Sequence, residues 1–232
     1  MIRIFHSNQN KFAIVFQENK DLSLIERYSD LDGIIFVDRV EEDRIFFDLY
    51  NRDGTRAEVS GNGLGCLAMF IYKYAKIKNQ IFVNSYFKDR EYYAKVIRNF
   101  VFVGFNLRQT KVKKWFYRNY PIYELNVPNP HCICFILNKE DDMLDLCKQI
   151  YEFVNFSKNV HVFSLREKYM YTFERGVGFT ASCGSGTIAC AYVYRKYYRL
   201  KARKIIISSP GGSLQVNVDH PIYWLKTRPI EL

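Results

Sequence analysis

SGNGLGCLAMFIYKY (Ser60–Tyr74) returns later in the chain as CGSGTIACAYVYRKY (Cys183–Tyr197). Each copy is a small protic side chain followed by Gly-x-Gly and a run apolar enough to bury a helix on most of its faces. Such a turn leaves the first N–H groups of the helix without intrahelical partners and puts the positive end of the helix dipole there, so each copy is a ready anion site. One Gly-x-Gly is weak, but two, each at a passage from strand to helix, predict a duplicated frame. One ligand would then be held between the halves, with a protic side chain on each side of it. That arrangement suits moving a proton from one face of a carbon to the other. The copies differ where the chemistry is most demanding: Cys183 is a thiol and Ser60 only a hydroxyl.

Working outward, both halves read alike. IRIFHS, KFAIVFQ, DGIIFVD, RIFFDLYN, QIFVNSYF, YYAKVIR and FVFVGFNL carry β-branched and aromatic runs bounded by turn residues, and the helix from Gly61 lies between the fourth and fifth. In the second half YELNVP, HCICFIL, NVHVFSL, MYTFERG, KIIISS and LQVNVD read as strands. A helix over Gly184–Tyr198 stands late in this series, and MLDLCKQIYEFV (143–154) is a further amphipathic helix. The fold class predicted is α+β, two pseudo-symmetric domains, each a mainly antiparallel sheet wrapped around a central helix. The join falls in the charged stretch Gln109–Tyr120, giving domains 1–112 and 113–232.

A chain of 232 residues with 48% hydrophobic content is long and apolar enough for two ordered cores. The formal charge of +10 favours anionic small molecules, while the scattered Lys and Arg come with no nucleic-acid-binding motif, so no nucleic-acid partner is expected. No signal peptide and no apolar run near 20 residues is present, so a soluble cytoplasmic protein without a membrane partner is expected. The six Cys lack paired framework spacing, which fits a reducing compartment. Cys132 and Cys134 read as buried thiols facing one way from a strand, and Cys66 and Cys190 as helix-core residues; no metal site is expected.

YNRDGTRAEVSGNGLGC resembles the N-domain motif of diaminopimelate epimerase, a cofactor-independent amino-acid epimerase family, and ERGVGFTASCGSGTIACA resembles its C-domain motif. NKFAIV, DGIIFV, NVPNPHCICF, KNVHVF and SSPGGSLQV are similar to further family segments in the family's order, so the likeness runs across nearly the whole chain. It implies two similar domains with a C-terminal tail that returns to the first, a homodimer, and no cofactor.

In that family one Cys removes the α-proton of an amino acid and a second reprotonates the opposite face. A thiol, with a pKa of about 8.5, can serve as acid or base. The resemblance implies catalytic roles for Cys183, for Ser60 in the place of the first Cys, for Glu174 as a group that tunes the thiol and takes an ammonium, and for His131. The helix start behind Cys183 is expected to stabilise its thiolate. Gly61, Asn62, Gly184 and Ser185 would hold the reacting carboxylate through backbone N–H groups. Asn10, Asn51, Asn129 and Asn159 would hold the far end of diaminopimelate, with Arg175 on its distal carboxylate.

The chain departs from the family pattern at Ser60, at Phe179 where a Glu is usual, and at Ser7 and Gln9 where glycines are usual. The reading is therefore a diaminopimelate epimerase interconverting the LL and meso forms for lysine and peptidoglycan precursors. The alternatives are a one-thiol racemase, isomerase or dehydratase on the same scaffold, and a non-catalytic protein that binds an amino acid.

Overall fold

The computed structural model describes residues 2–16, 20–41, 44–75, 81–85, 90–139, 142–199 and 201–232. The chain forms two compact units, Met1–Phe105 with Lys226–Leu232, and Asn106–Leu225. The second unit thus begins ahead of the expected boundary at 112/113.

Unit 1 contains β1 (Ile2–Ser7), β2 (Asn10–Phe16), α1 (Ser23–Arg27), β3 (Gly33–Val40), β4 (Arg44–Asn51), β5 (Arg56–Ala57), α2 (Gly61–Tyr74), β6 (Ile81–Ser85), β7 (Arg90–Ile97) and β8 (Phe100–Asn106). Unit 2 contains β9 (Val112–Tyr117), β10 (Tyr120–Val127), β11 (Asn129–Ile136), α3 (Met143–Phe153), β12 (Asn159–Ser164), β13 (Tyr169–Glu174), β14 (Gly178–Thr180), α4 (Gly184–Tyr197), β15 (Lys204–Ser209), β16 (Gly212–Asp219) and β17 (Ile222–Thr227). β17 leads back into unit 1, where β18 (Ile230–Glu231) lies antiparallel to β1.

The duplication holds element by element. In unit 1 the antiparallel hairpin β1–β2 is followed by β3 parallel to β2, β4 antiparallel to β3, and, beyond α2, β6 parallel to β4. In unit 2 the hairpin β10–β11 is followed by β12 parallel to β11, β13 antiparallel to β12, and, beyond α4, β15 parallel to β13. Two parallel contacts at matching places in otherwise antiparallel sheets are the mark of one plan used twice.

In unit 1, α2 packs on β1, β2 and β7 and is buried from Gly61 to Ile71. Phe70, fully buried on this helix, meets Phe5, Phe16 and Tyr74 at ring-centroid distances of 6.1, 5.0 and 5.2 Å. A fully buried Phe contributes about 1.5–3 kcal/mol. Gly65 is needed where α2 crosses the C-terminal tail, because a Cβ there would overlap the Thr227 hydroxyl. The tail is held further by Glu231, which accepts from the Tyr74 hydroxyl and from Lys73 Nζ (2.9 Å).

Unit 2 covers its sheet on both faces. Along β11 and β12 the residues Cys132, Cys134, Val160 and Val162 join the core beneath α3, so both Cys are buried together on one side. The alternate residues, His131 and His161 among them, lie on the opposite face of these strands. α4 packs on β10, β11, β12 and β16.

The charged stretch expected to be a join contains β9, which is antiparallel to β10 and keeps Lys113 and Lys114 exposed. Its alternation is blurred by these lysines. Among the expected strand residues, Gln17, Gln80, Tyr86 and Phe87 lie outside the described residues. Among the described residues no helix is long and apolar enough to cross a membrane.

Candidate active site

Ser60 and Cys183 are the N-caps of α2 and α4, with near-identical backbones of φ −129°, ψ 123° and φ −133°, ψ 113°. This extended conformation turns the side chain back over the first helical turn. Ser60 Oγ accepts from the Gly63 N–H at 3.0 Å, and Cys183 Sγ from the Gly186 N–H at 3.3 Å. The local fold therefore treats oxygen and sulfur alike.

Around Cys183 the groups differ from an ordinary cap. Its thiol donates to Glu174 Oε2 at 3.2 Å, and Ser185 Oγ lies 3.6 Å from the sulfur. Glu174 is fixed from several sides: Oε1 accepts from the Thr180 hydroxyl (2.8 Å), and its carbonyl from the Tyr151 hydroxyl (2.9 Å) and the Val177 N–H (3.1 Å). The helix start does favour the thiolate, through the Gly186 N–H, but other groups outweigh it. Burial first, and the Glu174 carboxylate next, push Cys183 well above the usual thiol range, while Ser185 and the Gly186 N–H pull only partly the other way. A free thiolate is therefore disfavoured at rest, and a proton leaving sulfur has a carboxylate waiting for it.

Arg175, exposed, follows Glu174 directly, and its backbone N–H donates to Asn159 Oδ1 at 2.8 Å. Asn159 is itself buried and registers beside His131 across the parallel β11–β12 pair. Asn129 opens β11 two residues before His131. Unit 2 thus gathers Cys183, Gly184, Ser185, Glu174, Arg175 and Asn159 along one connected run of bonds and chain neighbours.

His131, to which the resemblance gives a catalytic role, lies in the interior of unit 2. It is fully buried, its Nε2 faces the Val127 carbonyl at 3.2 Å, and its Nδ1 lies 2.9 Å from His161 Nε2. Both ring nitrogens are engaged by the protein, and burial lowers its pKa to about 3. His161 in turn sets Nδ1 2.9 Å from the Thr172 hydroxyl, and burial keeps it neutral as well. The sequence reading missed His161, Thr172 and Thr180. For His161 the signal was present: it stands two residues after Asn159 on one strand, hence on the same face.

In unit 1 Asn62 Nδ2 donates to Asn10 Oδ1 at 2.5 Å, and Asn62 Oδ1 accepts from Asn8 at 3.3 Å. Asn10, Asn62 and Ser60 are therefore gathered at the start of α2, with Asn8, which the sequence reading had not singled out. Asn8 and Gln9 have φ of 49° and 69°, a conformation glycine adopts freely and other residues seldom take. Asn51 ends β4, where its amide donates to the Thr55 hydroxyl at 3.0 Å. Phe179 pairs with Phe173 across β13–β14, and their rings lie 5.9 Å apart. Phe173 packs against the α3 core, whereas the adjacent Thr180 points to Glu174. Phe179 therefore faces away from the thiol, and this departure leaves the thiol's surroundings intact. Among the described residues no group of three His, Cys, Asp or Glu side chains could hold a metal ion.

The fold is shared with a predicted epimerase from Pseudomonas aeruginosa, with a TM-score of 0.72, 10% identity, and coverage of 99% of this chain and 97% of the other. The fold and the two matching helix caps define a duplicated two-unit α+β protein. The sequence model of the diaminopimelate epimerase family matches residues 123–224. The diaminopimelate epimerase of Thermotoga maritima is 30% identical over 233 residues, covering 96% of this chain and 95% of its own. That of Methanocaldococcus jannaschii is 26% identical over 235 residues, covering 84% and 79%. The chain belongs to the diaminopimelate epimerase family and is an isomerase of that family.

Proposed function

We propose that this protein interconverts LL- and meso-diaminopimelate by moving the α-proton without a cofactor, for lysine and peptidoglycan precursors, in the cytoplasm and as a homodimer. The homodimer rests on the family likeness alone, and the compartment on the unpaired spacing of the cysteines. The observation that carries the chemistry is the Cys183–Glu174 hydrogen bond at the start of α4. Glu174 takes the thiol proton, and the sulfur so freed removes the α-hydrogen of the bound amino acid. The Gly184 and Ser185 N–H groups and the dipole of α4 stabilise the charge that develops on the substrate carboxylate. Arg175, exposed and set by Asn159, receives the distal carboxylate. Asn10, Asn51 and Asn129 are assigned to the distal amino-acid end by the same likeness, and Asn62 positions Asn10.

The family likeness assigns the opposite face to Ser60, whose backbone geometry matches that of Cys183 but whose hydroxyl is a far weaker acid and base than a thiol. A correctly matched acid or base is worth about 10²–10⁴-fold. Ser60 thus also favours a second reading, a one-thiol isomerase, racemase or dehydratase acting on one face only.

Hydrogen exchange in D2O with LL- and meso-diaminopimelate separates these readings. Epimerisation should be slow in the parent and rise about a hundredfold or more in Ser60→Cys. Exchange without inversion in both proteins supports the one-face reading. No exchange in either, together with no binding of diaminopimelate, overturns the proposal.

A further inference from the structure

We propose that His161 is a positioning residue that fixes the Gly186 N–H against the sulfur of Cys183. The inference rests on the reading of Cys183 as the proton-transferring thiol, and it follows from three geometric facts. The His161 ring lies against the first turn of α4, so close to Gly186 that a Cβ added there would overlap the ring. Gly186 is the residue whose N–H bonds to Cys183 Sγ at 3.3 Å. The ring itself cannot turn without breaking bonds at both nitrogens, one to Thr172 and one to His131.

The proton positions follow from the acceptors. The Val127 carbonyl only accepts, so His131 carries its hydrogen on Nε2 and leaves Nδ1 as a lone pair. His161 must then donate from Nε2, which leaves its Nδ1 to accept from the Thr172 hydroxyl. Every member of the chain Thr172–His161–His131–Val127 has one assignment, with both rings neutral. Burial of both rings supports this, since each imidazole has its pKa lowered.

The duplicated fold supplies an internal comparison. By strand register His131, His161 and Thr172 of unit 2 correspond to Phe12, Ile35 and Leu49 of unit 1. The layer beneath the helix capped by Ser60 is therefore apolar, and an apolar layer suffices to build this fold. Of these two matching sets of positions, the set beneath the helix capped by the thiol carries the hydrogen-bonded chain. A polar chain sealed in a core fixes one arrangement of its members more sharply than apolar packing does.

The groups facing the two rings are Thr172 from β13, the Val127 carbonyl from β10 and Gly186 from α4, with the Arg175 charge acting on His131; those facing the thiol are Glu174, Ser185 and Gly186. Because the Gly186 N–H stabilises the thiolate, loosening it should make Cys183 harder to ionise.

The test is the pH profile of Cys183 alkylation by iodoacetamide, followed by peptide mass and read without substrate, so that it stands apart from whether diaminopimelate is turned over. His161→Gln, whose amide can still donate to His131 and accept from Thr172, should stay within about twofold of the parent rate across the profile. His161→Phe, which fills the space without hydrogen bonds, should slow alkylation about fivefold or more at pH 8, because each unit of upward pKa shift costs a factor of about ten. Equal slowing by both variants, or by neither, overturns the proposal. Should His161→Phe not fold, Thr172→Val takes its place with the same expected slowing, and a parent-like profile overturns the proposal. In the unmodified protein, ¹⁵N NMR should show both rings neutral with the hydrogen on Nε2. A charged ring, or one protonated on Nδ1, overturns it.

Discussion

Cys183 Sγ and Glu174 Oε2 stand 3.2 Å apart with the thiol as donor, and Glu174 is locked in that position through Thr180, Tyr151 and Val177. The same carboxylate that keeps the sulfur protonated at rest is the group able to take its proton. The thiol's ionisation is therefore coupled to the carboxylate, and removing Glu174 changes both the resting state of the sulfur and the fate of its proton.

Glu174→Gln separates those two effects. Loss of the negative charge beside a buried thiol should lower the Cys183 pKa, because the carboxylate is the second largest cause of its rise. Alkylation of Cys183 at pH 8 should accelerate, by about tenfold for each unit the pKa falls. Substrate α-hydrogen exchange should nonetheless drop about 10²–10⁴-fold, since the amide cannot accept the proton. Slower alkylation together with unchanged exchange would remove Glu174 from its assigned role.

How far the sequence discloses this site depends on scale. The Gly-x-Gly turns at Ser60 and Cys183 disclose both helix starts, because a cap is set by a few adjacent residues and its hydrogen bond is local. The strand register that brings Asn159 beside His131 joins residues far apart in the chain, and no residue spacing announces it. Phe179 shows the same limit. As a letter it replaces a Glu four residues before the thiol, yet strand alternation turns it toward the α3 face. The reverse holds for His131, which a motif marks as chemical and which the fold seals between Val127 and His161.

The sealed histidines should make folding stability pH-dependent. Both imidazoles are held neutral, so their folded pKa values lie below the ordinary value of about 6.5. Their contribution is complete above that value and is lost as pH falls below it, His131 reaching its folded pKa at about 3. Each imidazole that must charge on unfolding adds up to about 1.4 kcal/mol per pH unit to the slope. Urea midpoints measured between pH 6.5 and 5, a window above most carboxylates, should fall with acidity in the parent and fall less steeply in His161→Gln. Identical slopes would mean that His161 charges as readily in the folded protein as in the unfolded chain.

The last prediction concerns the distal end of the substrate. Arg175 owes its place to Asn159, whose buried Oδ1 accepts the Arg175 N–H at 2.8 Å, so one residue holds and the other reaches. Arg175→Ala should weaken diaminopimelate binding about ten- to a hundredfold, as expected for a hydrogen bond between charged groups, and leave a monocarboxylate amino acid within about twofold. Asn159→Ala, which frees the backbone but keeps the guanidinium, should produce the same selectivity with a smaller loss. Asn159→Asp retains the acceptor and should fall between Asn159→Ala and the parent. Calorimetric titration of both ligands against each variant reads this directly. Equal losses for the two ligands on Arg175→Ala would show that Arg175 does not meet the distal carboxylate. Parent-like selectivity in Asn159→Ala would show that Arg175 reaches the ligand without Asn159's help.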